Sequence, residues 1–274
     1  MSLLLSRSGL VILNCLGLLA AAPAVSAEEW QKSITPYARG NFPDSKPGRL
    51  QYVFGWNGIT AASADLVLSK SADERLQVEA TGHTIGLAKA LWNFETKHVG
   101  IVDAQMLRPI QVRETETVRS KKWTSELNYT PEGVVSRREE QRGSSVRSKR
   151  RDFKFPNAQS LESAFLYLRS QPLQEGASER IIVYPATSGY LVTVTVVGRE
   201  RITIAPGSYD AIKLDVQLKK IGKKRELLPH KKFKNATVWL SDDPNRLVLR
   251  IEAQIFVGTV FAELQAVAFE NTGP

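Results

Sequence analysis

The chain has a single cysteine, Cys15, and it lies inside an apolar leader. The mature chain that would follow has no disulfide, no thiol nucleophile and no thiolate metal ligand. Its stability must come from a core and a sheet ladder, which 274 residues permit. Histidine is scarce as well. His83, His98 and His230 stand at no metal-ligand spacing with another His, Asp or Glu on one element, so surface or strand histidines are expected and no metal. There is no Gly-x-Ser-x-Gly elbow, no phosphate loop and no dinucleotide fingerprint. Gly143, Ser144 and Ser145 sit in a basic polar stretch rather than between a strand and a helix. No catalytic residue and no cofactor are therefore expected.

Long apolar runs are missing too, apart from Leu10 to Ala22. That run is shorter than the roughly 20 residues a spanning helix needs, and Pro23 interrupts its end. With Arg7 before it and the small residues Val25, Ser26 and Ala27 after it, residues 1–27 read as a secretory signal cleaved after Ala27. Leu13 and Asn14 before Cys15, and the apolar residues after it, rule out a lipid anchor there. The expectation is an exported protein of the periplasm of a Gram-negative-type envelope, without a transmembrane anchor in the mature chain.

What the chain does have is alternation. It is 42% hydrophobic and 24% charged. Leu50, Tyr52, Phe54 and Trp56 share one face of a first strand, and Asn57-Gly58 marks a hairpin. The return strand carries Ala61, Ala62, Ser63 and Ala64, small side chains that point to tight packing or to room for a ligand. Ile110 to Val118 alternates most strictly. Ile85 to Trp92 breaks the pattern, as a short helix or a wrapped loop. Asn157 is placed to cap one main helix over about 158–170, with Leu161, Ala164, Phe165 and Leu168 as its apolar set and Pro172 beyond its end. Strands resume at 180–184, 190–197 and 200–204, and again after Pro206-Gly207. Val238 to Leu240, the turn Ser241-Asp242-Asp243-Pro244-Asn245, and Leu247 to Glu252 form a late hairpin. The fold class expected is mainly β: a curved antiparallel sheet or open barrel with one main helix. Residues 28–48 read as a flexible lead-in and 49–270 as a single domain.

The chemistry on offer is charge and aromatic surface. The formal net charge is +9. One basic cluster holds Arg137, Arg138, Arg142, Arg147, Lys149, Arg150 and Arg151; the other holds Lys219, Lys220, Lys223, Lys224, Arg225, Lys231, Lys232 and Lys234. Solvated hairpin tips are the ordinary reading of such runs, and docking to an anionic membrane surface or envelope polymer is the functional one. Within these clusters Arg137, Arg138, Arg150, Arg151, Lys219, Lys220, Lys223, Lys224, Lys231 and Lys232 are the anionic-surface candidates. Nucleic acid is not expected, because no aromatic-interleaved basic motif occurs and export removes the protein from it. Tyr52, Phe54, Trp56, Trp123, Tyr129 and Trp239 are candidates for an apolar ligand face; core packing is the plainer role for them. Asp242 and Asp243 suit backbone bonds in a turn better than an acid–base pair. Glu114 and Glu116 suit cross-strand pairing with Arg or Lys better than a cavity lining.

The order of several motifs resembles the DUF3108 family of exported bacterial proteins of undefined function. Those motifs are Tyr52, Phe54, Trp56 and Gly58; Leu161, Ser163, Ala164, Phe165, Tyr167, Leu168 and Arg169; Gly198, Arg199 and Glu200 followed by Pro206, Gly207, Tyr209, Asp210 and Ala211; and Trp239 to Asp243 with the closing Gly258 hairpin. The resemblance covers residues 50–270. It departs from the family near the helix start, where Gln159 and Ser160 stand in place of the usual Asp. It implies a sheet like that of lipoprotein carriers and no reaction, cofactor or catalytic residue. Two functions follow as expectations. One is an envelope protein binding an amphiphilic or lipid-linked ligand in a curved sheet. The other is a filled-core scaffold docking to an anionic polymer or a protein partner. A hydrolase of envelope polymers and an outer-membrane barrel are minor alternatives; charge on both faces of 110–119 opposes the barrel.

Overall fold

Period-two alternation becomes strand in nearly every stretch that carries it. The computed structural model describes residues 29–230, 233–255 and 257–270. The expected signal and Lys231 and Lys232 lie outside them. The first half is a meander: β1 (Gly48–Trp56), β2 (Ile59–Lys70), β3 (Arg75–Thr84), the six-residue helix α1 (Gly86–Leu91), β4 (Phe94–Asp103), β5 (Pro109–Val118), β6 (Lys121–Thr130), β7 (Gly133–Arg142) and β8 (Ser145–Phe153). The main helix α2 (Leu161–Ser170) follows. The second half is β9 (Ser178–Val183), β10 (Tyr190–Ile204), β11 (Gly207–Ile221), the short β12 (Leu227–Pro229), β13 (Phe233–Ser241), β14 (Val248–Ile255) and β15 (Gly258–Phe269).

These strands form one antiparallel sheet ordered β8-β7-β6-β5-β4-β3-β2-β1-β15-β14-β13-β11-β10-β9, with β12 paired to β11 alone. The two meanders join where β15 pairs β1. The ladder does not close, because β8 and β9 are both edges. The mainly-β open sheet read from the sequence is what forms. No helix among the described residues is long and apolar enough to cross a membrane.

Helix α2 occupies the hollow of the curved sheet. Ala164, Tyr167 and Leu168 pack on Ile181, Val194 and Val238 of the second meander. Leu166 packs on Leu68, Val78 and Val102 of the first. One helix thus serves as core for both halves. Its lower end is held by the turn between β13 and β14. Asp243 Oδ1 accepts from the backbone N–H of Asn245 at 2.7 Å and of Arg246 at 3.2 Å. This aims the buried Arg246 guanidinium at the carbonyls of Arg169, Gln171 and Pro172, which no helical N–H reaches.

The open seam between β8 and β9 is filled by side chains and by residues 154–160. Gln159 accepts from Tyr184 N–H and donates its own N–H to Ile182 O, both at 2.8 Å, a single parallel bridge. The Tyr129 hydroxyl donates to Tyr184 O at 2.7 Å, and Phe153 stacks on Tyr184 with centroids 4.9 Å apart.

Several expectations need correction. The main helix begins after Ser160, whose side chain accepts from Ser163 N–H; Asn157 instead takes a left-handed φ of 56° three residues earlier. The strands expected at 190–197 and 200–204 are one strand, β10, with a bulge between Val196 and Gly198 that preserves the ladder. Residues 29–48 are packed rather than a free lead-in. Trp30 is only 4% exposed and stacks on Phe155, and Tyr37 stacks on Tyr167 at 4.7 Å. Those aromatic side chains hold the stretch down together with hydrogen bonds from Thr35 N–H to Arg180 O at 2.9 Å and from Phe42 N–H to Ser170 O at 3.1 Å.

Candidate functional site

Two loops that are far apart in sequence meet at the seam. The β7–β8 hairpin brings Lys149 and Arg151, and the chain after it brings Lys154. The end of β11 and the loop to β12 bring Lys220, Lys223, Lys224 and Arg225. Between them lies a groove of about 1140 Å³. Phe153, Phe155, Ile221 and Leu228 give it apolar wall, and Asp152 and Glu226 are its acidic residues. Neither acid forms an ion pair with a groove lysine among the described residues. Asp152 pairs with Arg150 at 3.2 Å, and Glu226 accepts from the Lys224 backbone N–H at 2.9 Å.

The arginines of the groove are anchored, whereas its lysines are not. Arg151 donates to Thr187 O at 3.2 Å. Arg225 donates to Lys154 O at 3.1 Å and lies over the Phe155 ring. Trp30 Nε1–H donates to Arg225 O at 2.9 Å, so the start of the described chain holds the loop in place. Lys149, Lys154, Lys220, Lys223 and Lys224 make no ion pair among the described residues. Unpaired like charges around one hollow raise its potential, and an anion placed there relieves the repulsion.

A second hollow of about 370 Å³ adjoins the first and shares Lys149, Arg151 and Thr187 with it. Trp123, Arg138, Glu140 and Arg147 also line it. Arg138 sits over the Trp123 ring and pairs with Glu116 at 2.7 Å. Of the anionic-surface candidates, Arg138, Arg151, Lys220, Lys223 and Lys224 thus come together across the two hollows. Arg137 and Arg150 are cross-strand partners that line neither; their carboxylate partners are Glu139 and Asp152. Lys219 is exposed outside the groove.

The six aromatic candidates do not converge. Trp123 lines the second hollow. Tyr129 is tied into the seam by its bond to Tyr184. Tyr52 donates its hydroxyl to Val248 O at 2.8 Å, and burial pushes its phenol pKa up. Phe54 and Trp56 follow Tyr52 on the same face of β1, and both are exposed at the rim. Trp239 is buried in a row with Lys213 and Arg250, where its Nε1–H donates to Glu200 Oε1 at 2.6 Å.

A polar cluster at the start of α2 has no local signature in the sequence. His98 Nε2 meets Glu162 Oε1, and His98 Nδ1 stands 3.8 Å from Glu114 Oε1. Burial would lower the imidazole pKa, but hydrogen bonds and charge from Glu114 and Glu162 outweigh it and raise it to about 10. Burial likewise opposes the Glu162 carboxylate, and His98 nonetheless holds its pKa below the ordinary value. A Cβ at Gly100 would stand 2.8 Å from the Glu162 side chain, so glycine makes room for the pair. No group of three or more His, Cys, Asp or Glu among the described residues is arranged to hold a metal ion. Same-face alternation places His98 and Gly100 together, but nothing local in sequence points His98 at Glu162. The Asp242–Asp243 pair divides its work: Asp242 pairs with Arg199 at 2.7 Å, and Asp243 holds the turn.

An open antiparallel sheet curled around one helix, with a basic groove along its unzipped seam, defines the class: a β-barrel-like protein with a filled centre. The chain belongs to the DUF3108 family, proteins of unknown function, whose family profile matches residues 51–265. No curated protein matches it. Among solved structures it is similar to a β-barrel-like protein of another domain of unknown function, DUF1849, from Brucella abortus. The TM-score is 0.57 and the identity 12%, over 84% of this chain and 100% of that one. That likeness is one of fold. Looser overlaps are with a protein from Bacteroides fragilis described as exported with a YmcC-like fold (TM-score 0.36, 8% identity, 84% of this chain and 100% of that one) and with one from Parabacteroides distasonis described as a lipoprotein (0.34, 8%, 84% and 99%).

Proposed function

We propose that the mature protein is exported to the periplasm and binds an anionic amphiphile at the seam, without catalysing a reaction. The observation that carries this is the meeting of both basic clusters on one groove with apolar wall. Lys220, Lys223 and Lys149 take the anionic head group. Phe153, Phe155 and Leu228 take the first part of the apolar chain. Leu10 to Ala22 and the small residues at 25–27 support export. A second reading is favoured by one observation: α2 fills the hollow of the sheet, as in a scaffold that docks to an anionic polymer through the same lysines.

The test is calorimetric titration with short-chain phosphatidylglycerol below its micelle concentration. Short-chain phosphatidylcholine, glycerophosphoglycerol and polyphosphate serve as comparisons. The proposal expects phosphatidylglycerol to bind best, with a loss of roughly tenfold or more in Lys220→Glu/Lys223→Glu, since charge-assisted contacts are each worth a factor of about ten. Equal binding of phosphatidylcholine, or an unaffected variant, overturns it. Tight polyphosphate binding with no lipid binding selects the scaffold.

A further inference from the structure

Single exposed apolar residues are ordinary on a soluble surface. Those of this protein are not scattered. Seven of the thirteen large exposed hydrophobic side chains among the described residues are Phe54, Trp56, Ile59, Leu87, Leu91, Trp92 and Val257. All seven sit at one end of the sheet, on the β1–β2 tip, the β14–β15 tip and α1 with the residue after it.

These pieces form one ledge. The β1–β2 turn has left-handed Asn57 and Gly58, the geometry of a tight two-residue hairpin. Asn57 N–H donates to Thr259 O at 2.8 Å, and Asn57 Oδ1 accepts from Thr259 N–H at 2.9 Å. Trp56 Nε1–H donates to Val257 O at 3.2 Å. On the other flank Ile85 N–H donates to Ala61 O at 2.9 Å, which sets α1 against the start of β2. Beyond α1, Arg119 in the β5–β6 turn donates from Nη2 to Leu91 O at 3.0 Å.

Helix α1 has no role in the core. None of its six residues is buried, and Leu87 and Leu91 are 76% and 67% exposed. Four residues apart, they share one face of a helix. Trp92 follows, 51% exposed, stacked on Phe94. Leaving such side chains in water forgoes their burial, so a surface that covers them is strongly favoured. The charge beside them selects that surface. Lys89, Arg119 and Lys122 are exposed around the ledge, and Glu95 is the exposed carboxylate closest to α1 along the chain.

We propose that this ledge docks the protein on an anionic lipid bilayer. Trp56 and Trp92 lie at head-group depth, Leu87, Leu91 and Ile59 enter the acyl boundary, and the three cations meet anionic head groups. Tryptophan beside leucine with flanking lysine and arginine is the composition that partitions to a membrane interface. The ledge is separate from the seam groove and does not depend on what that groove holds.

Co-sedimentation of the mature protein with phosphatidylcholine vesicles, with and without phosphatidylglycerol, gives the first readout. Quenching of its tryptophan fluorescence by lipids brominated on the acyl chain gives the second. Binding is expected with phosphatidylglycerol present, falling roughly tenfold or more in Leu87→Glu/Leu91→Glu. Quenching is expected to vanish in Trp56→Phe/Trp92→Phe, although Trp30, Trp123 and Trp239 remain in that variant. Absence of vesicle binding, binding unchanged in the glutamate variant, or quenching that persists without Trp56 and Trp92 overturns the proposal. So does a dimer in light scattering that the glutamate variant dissociates, which would assign the ledge to a second copy. Short-chain lipid titration of the glutamate variant reads the groove separately.

Discussion

His98 and two carboxylates share the space beneath the first turn of α2. Linkage fixes the sign of its pH dependence. The folded pKa of His98 is raised from 6.5 to about 10, so its contribution to stability is complete below pH 6.5 and is lost as pH rises towards 10. Glu162 is held below its ordinary 4.5, so its contribution is present above that pH and is lost as pH falls below it. The cluster stabilises most between those limits. The melting temperature should therefore fall from pH 6.5 to 10, and His98→Gln should flatten that limb. His98→Ala leaves a buried carboxylate unpaired and should cost about 3–5 kcal/mol in urea denaturation at pH 6. An unchanged pH profile in His98→Gln would mean that the pair carries no linkage. Alternation places His98 on a strand, as the sequence indicates. Its partner comes from a helix 64 residues later, and only the fold brings the two together.

Among the elements, α2 depends most on what lies outside it. Its N-terminus is satisfied locally, by the reciprocal bonds of Ser160 and Ser163. Its C-terminus is satisfied from a distance, by Arg246. Arg246→Ala removes charge-assisted bonds to buried carbonyls and should cost about 1.5–3 kcal/mol, measured by chemical denaturation. An exchange of less than a few tenths would show that water replaces the guanidinium. The Ser-Asp-Asp-Pro-Asn turn was legible in sequence because its bonds are made within six residues. Its service to the helix was not, because Arg246 is an ordinary surface residue type until α2 is placed beside it. The helix start is ambiguous in sequence for a related reason: Asn157 and Ser160 are both good cap residue types, and the bridge of Gln159 to β9 lies between them.

At the scale of the molecule, the open seam organises both stability and the candidate site. Trp30 packs on Phe155 and bonds to the carbonyl of Arg225, joining the start of the described chain to the loop that carries Lys223 and Lys224. Trp30→Ala should cost about 3–5 kcal/mol, as for other buried tryptophans. It should also speed amide exchange in residues 222–226 more than in β1 to β4. Equal acceleration everywhere would mean that Trp30 contributes only to global stability.

The sequence by itself determined the β class, most of the strands, the presence of the main helix and the two clusters of positive charge. Each rests on local physics: alternation, turn chemistry and capping act within a few residues. The meeting of those clusters, the pairing of His98 with Glu162 and the docking of residues 29–48 were decided by the tertiary structure alone. They depend on how the edges β8 and β9 face one another across a seam that no ladder closes, and on where α2 lies within the hollow. Register accumulated over fourteen strands and one helix fixes those positions, and no stretch of sequence encodes that sum.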